Sequence, residues 1–219
     1  MRAMILAAGR GDRMRSLTDT LPKPLLEVHG KPLLQYHIEA LSRAGVRQLV
    51  INHARYGDMI EAYFGNGQGY GLDIVYSAEA ESRLETGGGI KNALPLLGEQ
   101  PFMVVNADVW TDYDFARLPE QLDGLAHIVL VENPPQHPAG DFCLQDGQVN
   151  EHNGERLTYS GIGVFSAALF VNCQETVFPL APLLRSAMQD KHVSGEYYPG
   201  RWADIGTPER LQRLNSTAI

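Results

Sequence analysis

An α/β fold of three layers, with helices on both faces of a central mixed, mainly parallel sheet, is predicted by three features of the 219-residue sequence. Apolar runs of strand length alternate with segments of helical period. Several of those runs, FMVVNA among them, are apolar throughout, as a sheet covered on both faces requires. Alternation of strand and helix in turn implies parallel pairing through right-handed crossovers, a Rossmann-like arrangement.

Taken in order, AMILAA supplies the first strand. In PLLQYHIEALSRAG, Leu34, Ile38 and Leu41 fall on one helical face, Pro32 suits a first turn and Gly45 the position just past the end. A strand in QLVINHA, a helix in GDMIEAYFG, a strand in LDIVYS, a helix in GGGIKNALPLL and strands in PFMVVNA and AHIVLVEN follow. GNGQGYG reads as a loop. After Asn133 the pattern changes: DFCLQDGQVNEH predicts a hairpin around Asp146 and Gly147, and LTYSGIGVFS a further strand, so the sheet becomes mixed. The chain closes with a helix through APLLRSAMQDK, a strand-like EYYPGRWADI and a helix over PERLQRLN with Thr207 as its N-cap.

With 44% hydrophobic and 20% charged residues, the chain can bury a core without metal or disulfide support. A single domain is expected at this length. The formal charge of −8 and the lack of any Lys/Arg run argue against nucleic acid as a partner, though a few local donors can still hold a small phosphorylated ligand. Two cysteines, Cys143 and Cys173, show no metal or redox spacing and are expected to be reduced thiols. MRAMILAAG has too short an apolar run for a signal peptide or membrane span, so the expectation is a cytoplasmic chain, acting as a monomer.

The stretch AAGRGDRM follows the first strand, and so lies at the carboxyl edge of the sheet, where open α/β folds place ligands. Gly9 and Gly11 allow dihedrals and close approach that expose backbone N–H groups to anionic oxygens, and Arg13 and Lys23 add positive charge. A dinucleotide-binding turn would carry a third glycine and enter a helix at once; here Met14 stands in that place, and Pro22 and Pro24 oppose helix. The loop is therefore expected to be long and to wrap its ligand. GxxxxGK[ST] is absent, and the RGD tripeptide is a coincidence.

The longer string LAAGxGxRMxxLTxxxPKPLLxVxGKPL resembles the signature of the sugar-phosphate nucleotidylyltransferases, and the likeness runs from Met4 to the last helix. It implies transfer of a nucleotidyl group from a nucleoside triphosphate to a sugar 1-phosphate, with release of pyrophosphate. Residues 1–133 would mainly bind nucleotide and 134–219 mainly sugar phosphate. Arg13 and Lys23 match the catalytic cations. Leu6, Ala7, Ala8, Gly9, Gly11 and Asp12 match the nucleotide-binding strand and turn, with Thr86 and Gly87 of LETGGG opposite. Asn106, Gly140, Glu151 and Tyr159 fall on the acceptor side.

Two highly anionic reactants call for a divalent cation, Mg2+. Asp108 and Asp204 each stand where an apolar strand gives way to a loop, and NAD and WxDIGTP match the family's metal positions. On the residues alone, an aspartate there serves equally as a turn former or helix cap, Asp204 before Gly206 and Thr207 especially. Asp112 and Asp114 read as caps of the next helix. Because a sugar 1-phosphate is already anionic, no general base is required, and the seven histidines read as structural or surface residues.

Three departures from the family pattern bear on specificity. Glu85 replaces the glycine of a usual LGT; EHN at 151–153 replaces EKP, losing a lysine; and Tyr159 replaces an asparagine. The acceptor is thus not expected to be a plain hexose phosphate. The whole sequence looks most like the single-domain uridylyltransferases of cell-wall recycling, with mannose 1-phosphate guanylyltransferases the near alternative. A noncatalytic sugar-nucleotide-binding paralogue and a nicotinamide-dependent reductase are the rival classes. Such a paralogue would usually lose Arg13, Lys23 or a metal aspartate, and the reductase fingerprint would need the missing third glycine.

Overall fold

The computed structural model describes residues 1–79 and 84–217. β1 (Arg2–Leu6) leads into two 3-10 turns, Asp12–Thr18 and Lys23–Leu25, followed by β2 (Glu27–Val28), β3 (Lys31–Pro32) and α1 (Leu33–Arg43). Then come β4 (Gln48–His53), α2 (Gly57–Phe64), β5 (Asp73–Ala78), α3 (Glu85–Leu97), β6 (Phe102–Asn106) and β7 (Val109–Thr111). The remainder comprises β8 (Ala126–Val131), β9 (Phe142–Gln145), β10 (Gln148–Asn150), β11 (Glu155–Phe165), α4 (Leu180–Gln189), β12 (Val193–Tyr197), β13 (Trp202–Asp204) and α5 (Pro208–Ser216).

Among the described residues the main sheet has nine strands in the order β5-β4-β1-β6-β11-β8-β12-β10-β9. Alternate residues of β1 face opposite ways: Ala3 and Ile5 join Leu34, Ile38 and Leu41 of α1 on one side, and Met4 joins Ile90 of α3 and Leu184 of α4 on the other. That division yields the three layers expected from runs apolar on both faces. Helix α1 ends as its sequence predicts. Gly45, at φ 86°, donates to Ser42 O, and Val46 donates to Leu41 O, the paired bonds of a left-handed C-terminal turn.

The expectation of mainly parallel pairing describes only part of the sheet. β5, β4, β1 and β6 are parallel, as is the β8–β12 pair, but β11 runs antiparallel to β6 and β8, and β10 to β12 and β9. The difference follows from connectivity, since β9 and β10 are joined by a two-residue turn at Asp146 and Gly147, both with φ above zero, and not by a crossover helix. β9 also returns to pair with the start of β11, so this end of the sheet curls upon itself.

EYYPGRWADI proves to be two elements rather than one. Pro199 and Gly200 interrupt it, leaving β12 in the main sheet and β13 in a separate ribbon with β7. Of the two expected caps, Asp114 accepts from Ala116 N–H, whereas Asp112 accepts from Arg201 N–H and the Tyr198 hydroxyl and caps no helix. Thr207 caps α5 by accepting from Arg210 N–H.

Candidate active site

Three parallel strands finish at one level, where Leu6 lies in register with Asn52 on one side and Asn106 on the other. Beyond this edge opens a cavity of about 700 Å³. Leu6, Ala7, Ala8, Gly9, Gly11, Asp12 and Arg13 all line it. No α-helix follows the turn. The chain makes 3-10 turns instead, and Met14, in the place of a third glycine, is fully buried against Leu26, Leu33 and Leu211.

The two glycines of the turn differ. Gly11 has φ 71°, and a Cβ there would stand 3.0 Å from Thr18 Cγ2 and 3.2 Å from Lys23 Cβ, so this position needs glycine. Gly9 is not left-handed, and a Cβ there would meet open space; its bareness leaves room in the cavity.

Lys23 reaches the cavity from the Lys23–Leu25 turn, which Pro22 and Pro24 frame. Its side chain is only 9% exposed, and Nζ donates to Asp108 Oδ2 at 2.8 Å. A buried ammonium needs such a partner, and the pair fixes both groups at the cavity wall. Arg13, by contrast, is exposed at the rim.

Asp204 ends β13 opposite Val109 of β7, and Ile205 N–H donates to Asp108 O at 2.8 Å, so the turn that carries Asp108 lies beside the end of the strand that carries Asp204. Asp108 and Gly206 line the cavity, and Asp204 Oδ2 meets Arg210 Nη1 at 2.5 Å. Among the described residues no three His, Cys, Asp or Glu side chains converge as a metal cage. Asp108 is on the cavity wall, whereas Asp204 is not among its lining residues and turns its carboxylate to Arg210; two such carboxylates would suit a hard divalent cation that takes its remaining oxygens from substrate and water.

On the far wall, Thr86 lines the cavity and its hydroxyl accepts from Leu180 N–H at 3.0 Å. Gly87 is buried in the first turn of α3 and faces away; a Cβ there would stand 2.4 Å from the Phe178 ring. Glu85, where the family string has glycine, sits at φ 60° in the left-handed region, a conformation glycine adopts without strain.

Among the lining residues that the sequence reading did not assign are Asn52 and Glu79. Asn52, 2% exposed, accepts from Ala7 N–H through Oδ1 at 2.7 Å and donates to Glu79 Oε1 through Nδ2 at 2.6 Å. It thereby couples the turn to Glu79, whose carboxyl burial pushes up against the pull of that hydrogen bond. The available signal was position, a polar residue at the end of the apolar run LVI level with Leu6.

The predicted acceptor residues divide. Asn106 is half-buried, lines the cavity and packs on Gly161 of β11, where a Cβ would lie 2.7 Å from Asn106 Nδ2. Gly140, Glu151 and Tyr159 lie outside the cavity wall: Gly140 just before β9, Glu151 between β10 and β11, and Tyr159 within β11. Tyr159 N–H donates to Asp141 Oδ2 at 2.9 Å, and burial raises its phenol. Glu151 Oε1 meets Arg185 Nη1 at 2.5 Å. Gly140, at φ 61°, abuts the Asn133 side chain and Leu157 O.

No histidine lines the cavity among the described residues. His37 is buried and donates Nε2–H to Val109 O at 2.8 Å, with burial holding its pKa down to about 4. Cys143 is buried and Cys173 half-buried, both as free thiols. No described helix is long and apolar enough to cross a membrane.

The fold agrees with what comparison with known proteins finds. Residues 2–151 match the nucleotidyl transferase family, and the chain belongs to it. It is 50% identical to an N-acetylmuramate alpha-1-phosphate uridylyltransferase of Neisseria meningitidis serogroup B, covering all of this chain and 98% of the relative. A protein of the same description from Caulobacter vibrioides is 36% identical over 94% of this chain and 92% of its own length. A mannose-1-phosphate guanyltransferase of Hypocrea jecorina is 30% identical, and this chain spans 62% of it. The structure of an inositol-1-phosphate CTP transferase from T. maritima superposes with a TM-score of 0.82 at 17% identity, covering 98% of this chain and 94% of that one, a likeness of fold alone.

Proposed function

We propose that the chain transfers a uridylyl group from UTP to a sugar 1-phosphate, N-acetylmuramic acid 1-phosphate, giving a UDP-sugar and pyrophosphate. It would work in the cytoplasm, in cell-wall recycling. The observation that carries this reading is the ion pair of buried Lys23 with partly exposed Asp108 beneath a glycine turn, at the level where three parallel strands end. Similarity at full length to the two uridylyltransferases supports the choice of base and sugar over a guanylyltransferase.

In this reading a phosphate oxygen of the sugar 1-phosphate attacks the α-phosphorus of UTP, a new P–O bond forms, and the bond to the β-phosphate oxygen breaks. No proton has to be removed first. Arg13 and Lys23 neutralise charge on the transferring and departing phosphates, so the site works by positioning and electrostatics. The strand end and turn from Leu6 to Asp12, with Thr86, hold the nucleotide, and Gly87, which faces the Phe178 ring, lets the first turn of α3 pack closely behind Thr86. Asn106, Gly140, Glu151 and Tyr159 form the acceptor side. Asp108 and Asp204 would hold Mg2+, whose chemistry when bound is to screen phosphate oxygens.

A panel of four nucleoside triphosphates against muramyl, glucosaminyl, mannosyl and glucosyl 1-phosphates, scored by pyrophosphate release, tests the proposal. UTP with the muramyl compound should give the highest kcat/KM. Preference for GTP with mannose 1-phosphate would transfer the chain to the guanylyltransferases, and absence of product throughout would make it a binding paralogue.

A further inference from the structure

We propose that Arg156 is a positioning residue for the sugar side of the site, an inference that rests on the acceptor assignment above. Its guanidinium lies across three backbone carbonyls from two separate segments. Nε donates to Ala139 O at 2.9 Å, Nη2 to Asp141 O at 3.1 Å and Nη1 to Glu151 O at 3.0 Å.

Ala139 and Asp141 flank Gly140, so one planar group fixes both sides of that glycine together with the backbone of Glu151. The same region is tied to Tyr159, whose N–H meets Asp141 Oδ2, and to Asn133, whose Nδ2 donates to Arg156 O at 2.9 Å. Two residues further along β11 from Tyr159, Gly161 packs on Asn106 at the cavity wall. A continuous path of contacts therefore runs from Arg156 to the cavity, and every acceptor residue assigned above lies on it.

Only a guanidinium has the geometry for this role. Its donors form a rigid fork that can serve several carbonyls in one plane, whereas a lysine offers a single mobile centre. Glu151 receives a second arginine on its carboxylate, Arg185, which also stacks over the Phe142 ring at 5.1 Å. Arg156 sets where the acceptor backbone lies, and Arg185 sets which way the Glu151 side chain points.

The test compares Arg156→Met and Arg156→Lys with the parent enzyme in steady-state assays, varying UTP and N-acetylmuramic acid 1-phosphate separately. KM for the sugar phosphate should rise about tenfold in the Met variant, as loss of two or three charge-assisted hydrogen bonds predicts, while KM for UTP stays within about twofold. Arg156→Lys should give little rescue, because charge without the fork cannot bridge the segments. Should the Met variant fail to give a native circular dichroism spectrum, the Lys variant decides by the same split. An unchanged sugar KM, a common rise in both KM values, or full rescue by lysine would overturn the assignment. If the parent enzyme shows no product with any sugar phosphate, the acceptor reading itself falls and this role with it; an active parent with unaffected variants removes Arg156 alone.

Discussion

On the β1 side of the sheet, the candidate nucleotide site is made from strand ends, a glycine turn and the Lys23–Asp108 ion pair; on the β11 side, the proposed acceptor region is made largely from loops held to one another by Asn133, Asp141, Arg156 and Arg185. Three parallel strands in register leave the residues at and next to their ends little freedom, so Leu6, Asn52 and Asn106 are placed by the sheet itself. The curled antiparallel end offers no such common level. There, side chains bonded to backbone carbonyls do the positioning, and their geometry can change without disturbing the core.

The largest expected effect lies at the Lys23–Asp108 pair. Lys23→Met should lower kcat by about a thousandfold, on the scale of removing one preorganised donor from a charged transition state. The loss should be equal for every sugar phosphate the enzyme accepts, and a defect confined to sugar KM would break the comparison.

Next comes a pH effect on the β1 side. His37 is depressed to about 4 by burial, below its ordinary 6.5, so the unfolded chain takes up the proton first. Stability is intact above about pH 6.5 and falls as pH drops towards 4, by up to about 3 kcal/mol for a shift of this size. Urea midpoints at pH 7 and 4.5 should diverge in the parent and converge in His37→Gln; parallel curves would show that His37 is not the responsible group.

A smaller effect is expected at Asn52. Its replacement by Ala leaves Ala7 N–H and Glu79 without that partner and should raise KM for UTP about tenfold, as loss of buried hydrogen bonds predicts, with sugar KM unmoved. This is the mirror image of the Arg156 variants. If both substitutions raise the same KM, the two sides are one site mechanically and the contrast fails.

Legibility in the sequence follows the same line. Helix α1 with its Gly45 terminus, the Asp146–Gly147 turn and the Thr207 cap rest on local rules, and the structure reproduces them. The glycine turn could be read because prolines and a missing third glycine report directly on the backbone. What could not be read depends on pairing at a distance. Nothing local tells that β9 closes on β11, that Asp112 serves the Tyr198–Arg201 segment instead of a helix, or that EYYPGRWADI contributes to two sheets. Asn52 was missed for the same reason, since its role appears only when β4 is placed beside β1. The family string marked Gly140, Glu151 and Tyr159, but the Arg156 bridge that gathers them is a property of the folded loops.

The return of β9 to β11 also governs how one molecule can meet another. With β9 bonded on both sides, that end of the sheet presents no open ladder of N–H and C=O groups, and among the described residues the unpaired margin is β5. Strand-to-strand addition to the main sheet by a second chain, whether in ordered self-association or in aggregation, would therefore begin along Asp73–Ala78, a short segment carrying an exposed charge and the exposed Val75.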